Sequence, residues 1–365
     1  MTRPVVLHVG TPKSGTTSLQ RTLARHRTVL GERDVLYPGD RPSHFLEALS
    51  LRDAGFGGQR VAEAEGAWDR MVAEVAAADR HTIVSHEMLG GAGRRAVRRA
   101  VDSLAPRPVR VVLTCRDLAR QLPAVWQEGV KNGDDRPFTQ FLEQTLADWD
   151  GPDTRRGAWA GQNLLGVTGR WAEVVGAERV TLVTVPPQGP PDELWQRFVA
   201  ATGLPDLDWS LPDQPRNRSM GAAEAELLRR LGSRLPDDLP WEERHRVVRR
   251  ALGQRRLAGT SAYGPLAVPE HLRASVDAIA AEVREGLVAA GYCVVGDLED
   301  LTPRHPDGRA PDQLDDAALL DVALDLVVPL VLERERSTRP AAGPRPGPSA
   351  GGGLLRRALR RARRR

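Results

Sequence analysis

Short apolar runs alternate with helix-like spacings along the first 220 residues of the chain. Continuous apolar runs, typical of strands that a parallel sheet buries on both faces, lie at residues 5–9, 82–84, 109–114 and 180–185. Apolar positions that recur every three or four residues predict helices around residues 68–76, 138–149, 164–175 and 194–201. Strands that alternate with helices imply crossover connections. The pattern therefore predicts an α/β fold in three layers (α/β/α) with a central parallel sheet.

From about Gly221 the pattern becomes mostly helical. Helical spacings cover residues 227–235, 241–257, 272–290 and, after a short apolar segment at 294–295, residues 314–333. The following stretch is rich in Pro, Gly and Ala, a composition typical of a flexible linker. We therefore expect one α/β domain over residues 1–335, a linker over residues 336–353 and a basic amphipathic tail over residues 354–365.

The turn after the first apolar run predicts an anion site. Residues 10–17 read Gly-Thr-Pro-Lys-Ser-Gly-Thr-Thr, and a leucine-rich helical pattern follows. Such a turn points backbone N–H groups and a helix N-terminus at one place, which makes a cradle for an anion. Lys13 adds a mobile positive charge, and the hydroxyls of Ser14, Thr16 and Thr17 add donors. The expected ligand is a phosphate ester; the alternative is a plain strand-to-helix turn with a surface lysine.

Two more predicted strands end in ionisable residues. The strand at 82–84 runs into Ser85-His86-Glu87, and the strand at 109–114 runs into Cys115-Arg116-Asp117. Ligands of such sheets sit at the carboxyl ends of the strands, so we expect these groups near the first turn. An arginine there suits bidentate recognition of phosphate, although an ion pair with Asp117 is the simpler reading of Arg116.

The first turn resembles the phosphosulfate loop of a known enzyme family. A nucleotide triphosphatase loop has Lys directly after its second glycine, whereas here Thr16 follows Gly15 and the lysine is Lys13. The string Pro-Lys-Ser-Gly-Thr-Thr at 12–17 resembles the 5′-phosphosulfate loop of sulfotransferases that use 3′-phosphoadenosine 5′-phosphosulfate (PAPS). The resemblance covers residues 1–300 in layout, and the stretches 116–133 and 217–220 look like a bacterial branch of that family.

The resemblance implies a donor site. It assigns PAPS binding to the loop residues and to two arginines: Thr11, Pro12, Lys13, Ser14, Gly15, Thr16, Thr17, Arg116 and Arg120. The family also places a serine eight residues after the arginine, where it holds the 3′-phosphate. This chain has Ala124 at that position, and Arg120 or Gln127 could compensate.

The resemblance also implies the catalytic groups. In-line sulfuryl transfer needs a base for the acceptor hydroxyl and a positive charge on the leaving phosphate oxygen, and this scheme requires no metal. Lys13 is expected to supply the charge, and Glu87 is the first candidate for the base, with His86 second. Simpler roles are a helix cap or ion pair for Glu87 and a structural histidine for His86. His44, in a turn-like region, is a candidate for the acceptor pocket or a loop histidine without a role.

The expected activity is transfer of a sulfonate group from PAPS to a hydroxyl of a small molecule, glycan or glycolipid. Alternatives are a P-loop kinase that uses ATP, which the missing Gly-Lys-Ser/Thr argues against, and a non-catalytic homologue that binds nucleotide and acts as an adaptor. The adaptor stays an alternative because this chain has Ala124 where the family has a serine.

The basic charge of the chain is concentrated at its end. The tail at 354–365 holds seven arginines and no acid, so a net charge of +4 for the whole chain leaves −3 on the rest, which is not a broadly basic nucleic-acid binder. The tail could contact an anionic membrane surface, an acidic partner or nucleic acid, or be a solvated segment. Two distant cysteines, Cys115 and Cys293, and the lack of a signal peptide or apolar span predict a cytoplasmic protein, with a peripheral membrane location as a variant.

Overall fold

The computed structural model describes residues 3–56, 59–205, 207, 209, 219–236, 238–261 and 263–338. The chain divides into two compact units, Met1–Leu319 and Leu320–Arg365. The last helix runs to Thr338, so the predicted linker from residue 339 onward and the whole predicted tail lie outside the described residues.

A parallel sheet forms the centre of the first unit. Within the described residues it has six strands: β1 Val5–His8, β2 Val35–Leu36, β3 His81–Ser85, β4 Val109–Cys115, β5 Val180–Thr184 and β6 Cys293–Val295. Their order is β2-β3-β1-β4-β5-β6, and all pairs are parallel. The chain moves from β3 on one side of β1 to β4 on the other, and a sheet that reverses its order in this way binds ligands at that point.

Helices surround the sheet, as the alternating pattern predicts. Before residue 205 they are α1 Thr16–Arg25, α2 Arg27–Glu32, α3 Phe45–Arg52, α4 Ala67–Ala78, α5 Arg94–Ser103, α6 Leu118–Lys131, α7 Phe138–Ala147, α8 Trp159–Gln162, α9 Leu164–Val175 and α10 Glu193–Thr202. After residue 219 they are α11 Ala222–Gly232, α12 Trp241–Arg244, α13 Glu270–Ala290 and α14 Asp316–Thr338. Residues His245–Gln254 continue α12 as a π-helix.

The strands are apolar because the sheet is buried on both faces. On one face Val6, Ile83 and Val112 pack with leucines of α1 and with Phe198 of α10. On β1 the neighbouring Leu7 is also fully buried, which explains why the strands appear as continuous apolar runs rather than alternating ones. The predicted α/β fold with a central parallel sheet is confirmed.

Some predicted elements are wrong in detail. The leucine-rich helical pattern after the first turn is divided between two helices, because α1 ends at Arg25 and α2 begins at Arg27. The helix predicted over 241–257 is four residues of α-helix followed by the π-helix. Among the described residues, no helix is long and apolar enough to cross a membrane.

Candidate functional site

The loop between β1 and α1 folds tightly against β4. Gly10 and Gly15 both lie in the left-handed region, with φ of 33° and 86°. A Cβ on Gly10 would come within 2.5 Å of the Thr16 Cγ2 and 2.9 Å of the Thr114 Oγ1, so a side chain there would push the loop away from β4. Lys13 also has a positive φ, 75°, although it is not a glycine. Strained backbone of this kind is concentrated at ligand sites, so the loop is a candidate for one.

Hydrogen bonds of Thr11 and Ser14 hold this loop against β4. The Thr11 N–H donates to the Thr114 carbonyl at 3.2 Å, and the Ser14 Oγ donates to the Thr11 carbonyl at 2.6 Å. The Ser14 Oγ also lies 2.7 Å from the Thr114 Oγ1, and Ser14 is completely buried. The Ser14 hydroxyl is therefore used inside the protein, and this geometry favours a structural role for it over the predicted contact with a ligand.

A buried histidine connects the three central strands beneath the loop. The His8 Nδ1 lies 2.7 Å from the Ser85 Oγ of β3, and its Nε2 lies 3.2 Å from the Thr114 Oγ1 of β4. Thr114 in turn contacts Ser14, so a chain of hydrogen bonds runs from β3 through β1 and β4 to the loop. Burial lowers the pKa of His8 to about 3, which keeps the ring neutral.

Glu87 begins a short 3₁₀ turn, Glu87–Gly91, directly after β3. Its carboxylate accepts a hydrogen bond from the Gln20 Nε2 at 3.3 Å and one from the hydroxyl of Thr16, so α1 holds it beside the loop. Burial acts to raise the pKa of Glu87, but His86 and these hydrogen bonds outweigh it and hold the pKa below its ordinary value. The carboxylate is therefore ionised at neutral pH.

His86 differs from Glu87 in what it can do. Its Nδ1 accepts a hydrogen bond from the Met88 N–H at 3.1 Å, and burial holds the pKa of the ring below its ordinary value. A neutral ring whose Nδ1 accepts carries its proton on Nε2, and that atom lies 3.9 Å from the Glu87 Oε2. The Nδ1 lone pair is engaged by the Met88 N–H and the Nε2 carries the proton, so neither ring nitrogen is free to take a proton, and this geometry favours Glu87 as the base.

Arg116 follows β4 and reaches the same loop. Its Nη1 donates to the Lys13 carbonyl at 3.4 Å, while its buried Nε has no hydrogen-bond partner within the described part of the chain. Burial, with Arg120 nearby, lowers the pKa of Arg116 to about 10. An unpartnered buried N–H is costly, which points to an acceptor group of a ligand.

Lys13 is held by a carboxylate of α6. Its Nζ lies 2.5 Å from the Glu128 Oε2, and the same carboxylate contacts Arg249 of the π-helix and, at 4.0 Å, Lys131. Burial acts to raise the pKa of Glu128, but these three cations outweigh it and lower the pKa to about 2. One carboxylate thus holds together three cations that could bind an anion.

The other residues that were predicted to bind the donor either make contacts within the protein or lie on the loop. The Pro12 carbonyl accepts from Gln121 and Gln162, and Thr17 lies half-buried in the first turn of α1. The Arg120 guanidinium binds Asp117 and donates to the carbonyls of Val185 and Pro186 at 3.1 Å each. Arg120 as a ligand stays a prediction that these contacts do not favour.

Two further candidates are also occupied. Gln127 donates to the Met220 carbonyl at 3.1 Å. The His44 Nε2 donates to the Pro38 carbonyl, and its Nδ1 accepts from the Ser85 N–H at 3.0 Å. His44 lines a cavity of roughly 430 Å³ between the residue 38–47 segment and α4, but its two nitrogens hold the backbone together. Its role in an acceptor pocket stays a prediction.

Several residues that build the site carry little signal in the sequence. His8 and Thr114 lie inside apolar runs, and their partners are far along the chain. Gln121, Glu128 and Lys131 share one face of α6 at i, i+7 and i+10, a helical spacing that could have singled them out.

Comparisons with known proteins give one structural similarity. No family model matches the chain, and no curated protein matches it. Among solved structures the chain is similar to the sulfotransferase from Alicyclobacillus acidocaldarius, with 18% identity and a TM-score of 0.40, over 68% of this chain and 96% of that one. At this identity and overlap, the activity of that protein is not carried over to this chain.

Proposed function

We propose that the chain is a sulfotransferase that moves a sulfonate group from PAPS to a hydroxyl of a small molecule, glycan or glycolipid. One observation carries the proposal. The β1–α1 loop, Arg116 and Glu87 meet at the carboxyl ends of β1, β4 and β3, joined by the contacts of Arg116 with the Lys13 carbonyl and of Thr16 with Glu87.

The residues at this place fit a donor with two anionic ends. The loop offers N–H groups and Lys13 for a phosphosulfate, as helix-start loops do for phosphates. The unpartnered Nε of Arg116 suits a second phosphate, for which the chain offers no serine at Ala124. When bound, the donor supplies the sulfonate group and a phosphate leaving group.

The chain's own groups then divide the work. The Glu87 carboxylate takes the proton of the acceptor hydroxyl, and Gln20 and Thr16 keep it in place. His86 presents its Nε2 proton toward Glu87 and acts as a positioning residue. Lys13 first releases Glu128, and its ammonium group then neutralises the negative charge that develops on the leaving phosphate oxygen.

Thermal unfolding with three ligands tests the proposal. A sulfotransferase is stabilised by 3′,5′-adenosine bisphosphate, by about 2.7 kcal/mol at a hundredfold excess over its Kd. A kinase responds instead to ATP with magnesium, and an adaptor without a nucleotide site responds to neither. Labelled sulfate from PAPS, offered with cell extract, then identifies acceptors. No stabilisation by the bisphosphate in the wild-type chain would reject the proposed function.

A further inference from the structure

A group of arginines surrounds the far end of the 3₁₀ turn that begins with Glu87. The Arg52 guanidinium, at the end of α3, packs so closely on Gly91 that a Cβ built there would lie 3.0 Å from its Nη2. The Arg155 Nη2 donates to the Gly91 carbonyl at 3.4 Å from the other side. Arg52 is half-buried and Arg155 is exposed, so both are open to a ligand.

A third arginine fixes the turn itself. Arg170 is 8% exposed and donates to the carbonyls of Gly90 at 2.9 Å and Ala92 at 3.1 Å. Two of its donors are bound to the backbone of the turn, and it adds a buried positive charge next to Gly91. We distinguish it from Arg52 and Arg155, which we call the arginine pair.

Within the described part of the chain the arginine pair has no ion-pair partner. Among the described residues, neither Arg52 nor Arg155 has a carboxylate within ion-pair distance, although other arginines nearby do: Glu173 of α9 contacts Arg94 and Arg98. Burial and the neighbouring Arg155 lower the pKa of Arg52. Two like charges on one glycine, neither with an ion-pair partner among the described residues, favour an anion as ligand.

The arginine pair lies next to the proposed base, Glu87. A 3₁₀ turn rises about 2 Å per residue, so Glu87 and Gly91 at its two ends are roughly 8 Å apart along the chain. The charge of Arg52 also lowers the pKa of His86, which shows that it acts on this end of the turn. The same turn packs on the β1–α1 loop, where a Cβ on Gly90 would lie 3.2 Å from the Gly10 carbonyl oxygen.

We infer that Arg52 and Arg155 bind an anionic group of the acceptor, so that the substrate class is a hydroxyl compound that also carries a carboxylate or a phosphate. The inference rests on the proposed function, because it takes Glu87 as the base. In the proposed function the donor's own anions are matched by Lys13 and Arg116, which leaves the arginine pair for the second substrate.

Two pairs of sugars test the inference directly. In each pair only one member is charged: p-nitrophenyl β-D-glucuronide against p-nitrophenyl β-D-glucoside, and glucose 6-phosphate against glucose. Titrations of the full chain are followed by ligand-observed NMR, with and without 3′,5′-adenosine bisphosphate. We expect the charged member of at least one pair to bind about tenfold more tightly. Preference for the glucuronide identifies a carboxylate as the ligand group, and preference for the phosphate identifies a phosphoryl group.

Variants assign the effect to the arginine pair. Arg52→Gln should remove the preference, and Arg155→Gln should reduce it by roughly threefold, because Arg155 is more exposed. Arg95→Gln removes the same charge from an exposed position of α5 and should keep the full preference. Once an acceptor is known, Arg52→Gln should raise its KM with little change in kcat.

The outcomes separate the two proposals. Equal binding of both members of both pairs by the wild-type chain, or an unchanged preference in Arg52→Gln, would overturn the anionic acceptor. The bisphosphate titration on the same samples reports on the donor site alone. Its failure in the wild-type chain would reject the sulfotransferase, while the sugar titrations without it would still decide whether the arginine pair binds anions.

Discussion

Glu87 is an ionised carboxylate that two side chains of α1, Gln20 and Thr16, hold beside the loop. Burial acts to raise the pKa of Glu87, but His86 and hydrogen bonds to the charged form outweigh it and keep the pKa low. A base of this kind is weak but fully ionised at neutral pH, and its position is fixed by the helix that also carries the loop. In the proposed chemistry Glu87 therefore acts through its fixed position next to the reacting group, and not through a raised pKa.

Glu87→Gln should lower kcat by about a hundredfold or more and leave the affinity for 3′,5′-adenosine bisphosphate unchanged. Because the pKa of Glu87 lies below its ordinary 4.5, the wild-type kcat/KM should stay flat from pH 7 down to pH 5 and fall only below pH 4.5. The measurement is steady-state transfer across pH. Loss of turnover in His86→Ala, with activity kept in Glu87→Gln, would exchange the two assignments.

Lys13→Ala should lower kcat by at least about a hundredfold, because it removes the charge that faces the leaving oxygen. It should also weaken binding of the bisphosphate, which calorimetry measures. The control is Arg95→Ala, which removes a cation from an exposed position of α5 and should leave turnover and binding unchanged. Equal turnover in Lys13→Ala and wild type would contradict the role of the loop.

Helix α6 connects the loop to the second half of the chain. It presents Gln121 to the Pro12 carbonyl and Glu128 to Lys13, and through Glu128 it reaches Arg249 of the π-helix. The Glu128 carboxylate occupies Lys13 in the way that an anionic ligand would. Binding of such a ligand therefore requires Lys13 to exchange one negative partner for another.

Glu128→Gln should bind the bisphosphate roughly three- to tenfold more tightly, because it frees Lys13 and removes a negative charge near the ligand. Calorimetry at low and high salt measures the change, which should shrink as salt screens it. Glu173→Gln removes a carboxylate that pairs with two exposed arginines and should leave the affinity unchanged. An unchanged affinity in Glu128→Gln would show that Glu128 does not compete with the ligand.

The elements show what a sequence pattern can and cannot predict. Strands β1, β3, β4 and β5 were predictable because burial on both faces makes them mostly apolar. Strand β2 has only two residues, too few for a pattern, and α5 carries four arginines that obscure its apolar side around Val97. Both are fixed by neighbours distant in sequence.

The site divides in the same way. Lys13, Arg116 and Glu87 stand at strand ends and were identifiable there, whereas His8 has partners 77 and 106 residues away. Glu128 and Arg249 lie 121 residues apart and meet only through the packing of α6 with the π-helix. Pairing over such distances leaves no local trace in the sequence.

Across the whole molecule, several histidines are buried in the neutral form. Burial lowers the pKa of His8 to about 3 and that of His44 to about 4, from 6.5. In the unfolded chain these rings take up protons below pH 6.5, whereas in the folded chain they stay neutral until the pH approaches their lowered pKa values. Stability is therefore fully present above pH 6.5 and is lost as pH falls.

Urea unfolding between pH 7.5 and pH 5 should show this loss. Each of the two rings contributes a slope of about 1.4 kcal/mol per pH unit below pH 6.5. In His44→Gln the slope should decrease by the share of one ring. A free energy of unfolding that does not change between pH 7.5 and pH 5 would contradict the neutral, buried state of these histidines.

The hydrogen-bonded path from Ser85 through His8 and Thr114 to Ser14 has a consequence for the order of events. In the proposed reaction the acceptor binds near the Ser85 end of this path and the donor binds at the loop that contains Ser14. Binding of the first ligand should therefore make the binding site of the second more rigid. Linkage makes that assistance equal in both directions. The acceptor should hence be held more firmly by a chain already loaded with nucleotide than by an empty one.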